Sequence, residues 1–340
     1  MRCSETPRGR WPDVRRGVIA LLATVGAVVG FAAPPAQAEV AVTVAVSTAD
    51  GSPPRVDQPV TVSGQVTGTT GPVTVTLERR EPGDSAPTQV GMPQDTQPDG
   101  SFSFTDQPDK RGAVTYTVTV QPSGPSGSAT ADVAGLDPHL RLTASTAVVR
   151  SGHRVHLTAH LDPATTVRQV TVHAKPYHQD RVTVGTGDTD ATTGEFSTRH
   201  TVDRRTRFVV TFAGDDRYDP AVDRLVVRAR AALDERLRGG YGEAHGFRLY
   251  HPSSNPSVTV HLHPVHDRAC VFFRAQRRDD GRWHNTAVSD CVHTDADGLA
   301  RGILTGDHIV GRPYRLRAET HRTTMALAGR GQWLKIRFHR

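Results

Sequence analysis

From Val40 onward, apolar and polar residues alternate in short runs separated by Gly, Pro, Asp and Ser. Val114-Thr-Tyr116-Thr-Val118-Thr-Val120 is the clearest run, and Val40 to Val46, Val60 to Val66, Val73 to Leu77, and Phe102 with Phe104 precede it. Alternation with period two puts every second side chain on one face, so each run predicts a strand with a buried side and a wet side. Asp50 to Pro54, Gly68 to Pro72, Asp99-Gly100 and Pro122 to Gly127 punctuate the runs with turn chemistry. The Val60 and Val73 runs are separated only by Gly68 to Pro72 and read as antiparallel neighbours. Glu81 to Pro98, rich in Pro, Asp, Gln and Gly, reads as a mobile loop or an irregular sheet edge. Ala129 to Val133 closes the unit.

The same order then recurs. Arg154 to Leu161 answers the Val60 run, Val170 to Ala174 the Val73 run, and Thr193-Gly194-Glu195-Phe196-Ser197 the Asp99-Gly100-Ser101-Phe102-Ser103 turn. Phe208 to Phe212 answers Tyr116 to Val120, and Leu225 to Val227 closes. A more divergent third copy keeps the order as Val258 to Leu262, Ala269 to Ala275, Asp297-Gly298-Leu299, Tyr314 to Ala318 and Trp333 to Ile336. Units of about 95 residues with roughly seven short strands fit an all-β chain of tandem immunoglobulin-like β-sandwich domains. The expected division is 39–136, 137–233 and 234–340, the last a divergent sandwich.

The strand Phe208 to Phe212 runs into Ala213-Gly214-Asp215-Asp216-Arg217-Tyr218-Asp219-Pro220-Ala221. This stretch resembles the end of bacterial Ig-like repeat domains, in which an aromatic strand enters a Gly-Asp-x-x-Tyr-x-Pro-Ser/Ala turn. The resemblance covers 137–233, and the flanking units lack the turn. It implies extracellular spacer or adhesive modules of bacterial surface and secreted proteins, sometimes appended to enzymes. Val118, Val210 and Leu316 stand where antibody-type domains carry their later core cysteine, so packing alone is expected to hold the first two cores. Tyr116 and Tyr314, two residues earlier, are placed for a tyrosine-corner hydrogen bond, whereas Phe208 has no hydroxyl.

The first 38 residues change the picture of compartment and charge. Arg2, Arg8, Arg10, Arg15 and Arg16 precede an uncharged run from Gly17 to Ala33, and Ala36-Gln37-Ala38 is a small-residue cleavage pattern. Residues 1–38 are therefore expected to be a signal peptide, and the protein to be secreted, extracellular or loosely associated with the cell wall. No apolar span or sorting signal follows Trp333. The whole chain carries +6, but residues 39–136 hold 5 basic against 11 acidic residues, 137–233 hold 14 against 11, and 234–340 hold 17 against 11. Basicity thus rises along the chain, which makes an acidic polymer a candidate partner for the third unit. Nucleic acid is not expected, because the cations are scattered among strands without an aromatic stacking platform.

With Cys3 in the leading segment, Cys270 and Cys291 remain, and an even count in an exported chain predicts one disulfide. No G-x-S-x-G, H-E-x-x-H or P-loop pattern occurs, so no catalytic residue is assigned and no cofactor is expected. His261-x-His263-x-x-His266 is the main metal candidate, since His261 and His263 share a strand face, with His266 or His251 as further ligands. The expectation instead puts Val258, Val260 and Leu262 in the core and the histidines on the wet face, because His156 and His160 occur on the equivalent strand of the second unit without a third ligand nearby, so no metal site is assigned. Asp188-x-Asp190, Asp215-Asp216 and Asp295-x-Asp297 offer oxygen ligands but read as turns. Arg204, Arg205, Arg207, Arg315 and Arg317 read as solubilising strand charges, or as a grip on acidic glycans. Trp283 and Trp333 read as packing residues, or as sugar-stacking ones. The expectation is a non-enzymatic interaction or spacer module. The alternative is a carbohydrate- or wall-binding factor with its site on the third unit.

Overall fold

The computed structural model describes residues 39–340; the leading segment expected to be a signal peptide lies outside the described residues. Every regular element among the described residues is a strand, and no helix there is long and apolar enough to cross a membrane. The strands enclose three separate apolar cores, so the chain is a series of β-sandwiches.

In the first sandwich, Ala41–Ser47, Val60–Thr67 and Ser101–Asp106 form one sheet, and Thr88–Asp95, Thr74–Arg80, Gly112–Val120 and Ser126–Val133 form the other. The expected pairing of the Val60 and Val73 runs as antiparallel neighbours is thereby overturned, since the two strands lie in opposite sheets and Gly68 to Pro72 crosses between them. Alternation shows that Val60, Val62, Val75 and Leu77 point into one core, and all four do. It does not show which sheet supplies each strand. Within Glu81 to Pro98 the second of the two readings holds, because Thr88–Asp95 is an edge strand with a register irregularity opposite Val75 and Leu77. Pro93, which has no N–H to donate, is tolerated there because an edge strand has only one partner.

The core of this sandwich does not rest on packing alone. Arg79 is paired with Asp106 at 3.2 Å and Glu81 at 3.5 Å, and the Tyr116 hydroxyl donates to Asp106 Oδ2 at 2.9 Å. Glu81 is buried, and that burial raises its carboxyl above the ordinary range. The expected tyrosine corner at Tyr116 is thus replaced by a bond to a side chain. Tyr314 does bond to backbone, its hydroxyl accepting from the Ile309 N–H at 3.1 Å.

In the second sandwich, His139–Ala144, His153–Asp162 and Glu195–Val202 face Val182–Asp188, Gln169–Pro176, Thr206–Phe212 and Ala221–Arg230. The edge strand Val182–Asp188 has little apolar alternation to betray it. Its Gly187 lets the Phe196 ring close over the backbone, where a Cβ would lie 2.4 Å from that ring.

The third sandwich pairs Ala232–Arg238, Ser257–His263 and Leu299–Ile303 against a larger sheet. That sheet runs Gly242–Ala244, Phe247–Tyr250, Leu334–Phe338, Pro313–Thr320, Cys270–Asp279, Arg282–Val288. Cys270 and Cys291 are joined as a disulfide across 21 positions, closing the hairpin made by the last two strands.

Both joints are built from specific contacts. At the first, Asp215 Oδ1 accepts from the N–H groups of Arg217 and Tyr218, and Oδ2 faces the buried Arg168 guanidinium at 3.2 Å. Arg168 also lies 3.9 Å over the Tyr218 ring. The turn so fixed reaches the first sandwich: Arg111 donates to Asp215 O and Asp219, Arg217 pairs with Asp57, and Tyr218 bridges to Leu136. Gly214 allows this, with φ of +86° and room for the Arg111 guanidinium where a Cβ would be. At the second joint, Ala326–Leu327 of the third sandwich adds in parallel to Ala229 and Arg230 of the second. The Arg205 N–H donates to Met325 O at 2.7 Å.

Candidate functional site

The outer face of the third sandwich's large sheet gathers the cationic and aromatic residues that the sequence scatters over 90 positions. Tyr314, Leu316 and Ala318 turn into the core, so Arg315, Arg317 and Glu319 must turn outward. Cross-strand register then sets Gln276 opposite Arg315, Arg274 opposite Arg317, and Trp283 opposite Arg278. Arg315 opposes Lys335 on the other side, which brings Trp333 alongside Arg317.

The resulting array is a ladder. The Arg315 guanidinium lies 4.3 Å from the Trp283 ring centre and 4.1 Å from that of Trp333, and Arg317 lies 4.2 Å over Trp333. Farther along, Arg337 and Lys335 lie 4.7 and 5.9 Å over Phe247. Stacking engages the flat face of a guanidinium and leaves its N–H rim directed sideways, where oxyanions bind. Each stack contributes about 0.5–1 kcal/mol at an exposed site.

Charge on this face is only partly neutralised. Glu319 receives bonds from Arg274 and Arg317, both at 3.0 Å. Burial opposes ionisation of Glu319, but those two bonds outweigh it and hold its carboxyl below the ordinary range. Arg315 donates to the neutral Gln276 at 2.7 Å, and burial together with the nearby Arg317 charge lowers its affinity for its proton. Among the described residues Arg278, Arg315, Lys335 and Arg337 have no carboxylate partner, and Arg337 Nε is buried without a hydrogen bond. Four uncompensated cations share one face with two indoles and a phenyl ring, an arrangement complementary in charge to oxyanions. The expectation that the cations lack an aromatic platform is overturned here. Arg315 and Arg317 lie on outward strand positions as expected, half-buried and stacked on the indoles.

The histidine candidates fare differently. Val258, Val260 and Leu262 are buried, and His261 and His263 lie on the opposite face with ring centres 4.3 Å apart. His261 Nε2 is 2.8 Å from Asp297 O, His263 Nε2 is 3.4 Å from Asp234, and the His266 ring bonds next to its own backbone at Asp267 O. His251 stacks on Tyr241. No group of three or more metal-ligating side chains converges among the described residues. Asp190 and Asp295 fix turns: Asp190 Oδ1 accepts from Thr192 and Thr193 N–H, and Asp295 Oδ1 from Asp297 and Leu299 N–H, while Asp188 ends the strand Val182–Asp188. Arg204 is half-exposed, with its Nε buried without a hydrogen-bond partner.

One group was not singled out from sequence. Glu235 points inward between Leu233 and Leu237, where alternation calls for an apolar residue. Its carboxylate accepts from the backbone N–H groups of Ala318 and Gln332, and Oε2 is buried without a partner. Burial, against the pull of those two bonds, raises its pKa to about 7. Its partners are backbone, so the group ties one sheet to the other.

No family model matches the chain, and no curated protein matches it. Solved structures that the chain matches include the native conformation of Escherichia coli alpha-2-macroglobulin, at 12% identity and TM-score 0.25, covering 88% of this chain and 22% of that one. Salmonella alpha-2-macroglobulin reacted with methylamine matches at 12% identity and TM-score 0.24, covering 88% and 24%. The chain spans under a quarter of the length of either protein.

Proposed function

We propose that this chain is a non-enzymatic interaction module of the cell exterior, in which the first two sandwiches act as a spacer and the third binds an acidic glycan. The observation that carries the reading is the Trp283–Arg315–Trp333–Arg317 ladder with Lys335 and Arg337 beside it. Sugar rings suit the aromatic surfaces, and carboxylate or phosphate groups along the polymer suit the free guanidinium rims. The spacer role is supported by two joints held by bonds between sandwiches rather than by bare linkers. Export is supported by the leading segment and by the Cys270–Cys291 bridge.

The test is depletion of the protein from solution by insoluble cell-wall material, compared with a Lys335→Gln/Arg337→Gln variant. Depletion of the parent, reversed by salt and lost in the variant, is the expected result. Equal depletion of both proteins would remove this face from the account.

A further inference from the structure

We propose a second, separate anion site in the cleft between the second and third sandwiches, shaped for a compact multivalent oxyanion of the oligophosphate type. The cleft encloses about 570 Å³ and is lined by Arg205, Arg228, Arg322, Thr323 and Thr324 together with the joint segment Met325 to Leu327. No carboxylate lines it. None of the three guanidiniums enters an ion pair among the described residues, whereas Arg150 at the same joint pairs with Asp234 at 3.4 Å.

Register explains why these charges meet. Thr206 pairs with Val227, so continuing the ladder by one step sets Arg205 across from Arg228. Like charges directly opposite one another destabilise a strand pair. Here the strand from Ala221 runs past its neighbour, and Ala326–Leu327 of the third sandwich takes the vacated pairing position beside Ala229 and Arg230. The turn that delivers this segment carries Arg322 into the same cleft. Thr323 Oγ1 accepts from the N–H groups of Met325 and Ala326, which leaves its hydroxyl proton available to donate outward.

Three unneutralised guanidiniums and a hydroxyl donor converging from two sandwiches match an anion with several charged oxygens, since each guanidinium can donate in bidentate fashion. Occupancy would relieve the Arg205–Arg228 repulsion and link Arg322 of one sandwich to two arginines of the other. The anion would therefore act as a brace for the joint. The ladder face lies on different strands, so this site stands or falls independently of the glycan reading.

Isothermal titration of the full chain with inorganic tripolyphosphate at low ionic strength tests the proposal, with three proteins compared. The parent is expected to bind one equivalent, and Arg205→Gln/Arg322→Gln to bind at least about tenfold more weakly through loss of charge-assisted bonds. Lys335→Gln/Arg337→Gln, whose residues do not line the cleft, is expected to keep the tight cleft equivalent and to lose only weaker binding at the ladder face. Arg205, Arg322 and Lys335 are exposed and Arg337 is half-buried, and unchanged thermal midpoints would show that the folds persist. Absence of heat at millimolar ligand, or parent-like affinity in the Arg205/Arg322 variant, would overturn the site. Loss confined to the Lys335/Arg337 variant would also overturn it, while leaving the ladder face as the anion-binding surface.

Discussion

Glu235→Gln isolates the electrostatic cost of a buried carboxyl in the third sandwich. The group titrates near 7 in the folded chain instead of near 4.5, because burial disfavours the carboxylate more than the Ala318 and Gln332 N–H bonds favour it. Below about pH 4.5 the acid is neutral both folded and unfolded, and its contribution to stability is fully present. As pH rises toward 7 the unfolded chain ionises first, so stability falls, and it levels off above the folded pKa. At about 1.4 kcal/mol per pKa unit the span corresponds to about 3 kcal/mol, and screening of the partly exposed group reduces this to on the order of 2 kcal/mol. The described chain has tryptophans only at 283 and 333, so their fluorescence reports unfolding of this sandwich selectively. Guanidinium titrations at pH 4.5, 6 and 8 should show the parent losing on the order of 2 kcal/mol relative to Glu235→Gln across that range, with the variant the more stable at pH 8. Parallel pH curves for the two proteins would refute the reasoning.

Other consequences follow from particular contacts. Cys270→Ala/Cys291→Ala should lower the stability of the third sandwich by about 3 kcal/mol, the loop-entropy value for a bridge of this span, measured by the same fluorescence transition. Tyr116→Phe removes the hydroxyl bond to Asp106 inside a buried network and should destabilise the first sandwich by about 1–3 kcal/mol, seen as an earlier calorimetric transition. Arg111→Ala/Arg217→Ala should leave that transition within about 1 kcal/mol of the parent, because the pairs lie between the sandwiches and keep partial access to solvent. The same variant should raise the radius of gyration in X-ray scattering by freeing the first joint.

Strand positions and inward faces were legible because period-two alternation encodes them locally, as at Val114 to Val120. Sheet membership was not. Val60 and Val73 have the same alternation and adjacent places in the chain, yet lie in facing sheets, and only the closed core distinguishes the two arrangements. Edge strands such as Val182–Asp188 escape detection because one-sided burial is weak there and Gly185 and Gly187 replace apolar residues. The Gly214 to Pro220 turn was legible as a turn, but its role as the clasp onto the first sandwich depends on Asp57, Arg111 and Leu136, all distant in sequence. The candidate site was legible only as its parts. Trp283, Arg315 and Trp333 come together through cross-strand register, a relation between three strands that no single stretch of sequence contains. Glu235 occupies an apolar position in its strand, and that break in pattern is the signal by which it is found.

The central claim is that the ladder face is a contact surface for acidic glycans. Its most direct measurement is affinity electrophoresis of the full chain through gels containing polygalacturonate or neutral dextran, with Arg315→Gln/Lys335→Gln/Arg337→Gln alongside. The account predicts retardation of the parent by polygalacturonate alone, weakened by salt and reduced at least about tenfold in the variant. Equal retardation of parent and variant, or retardation by dextran to the same degree, would contradict it.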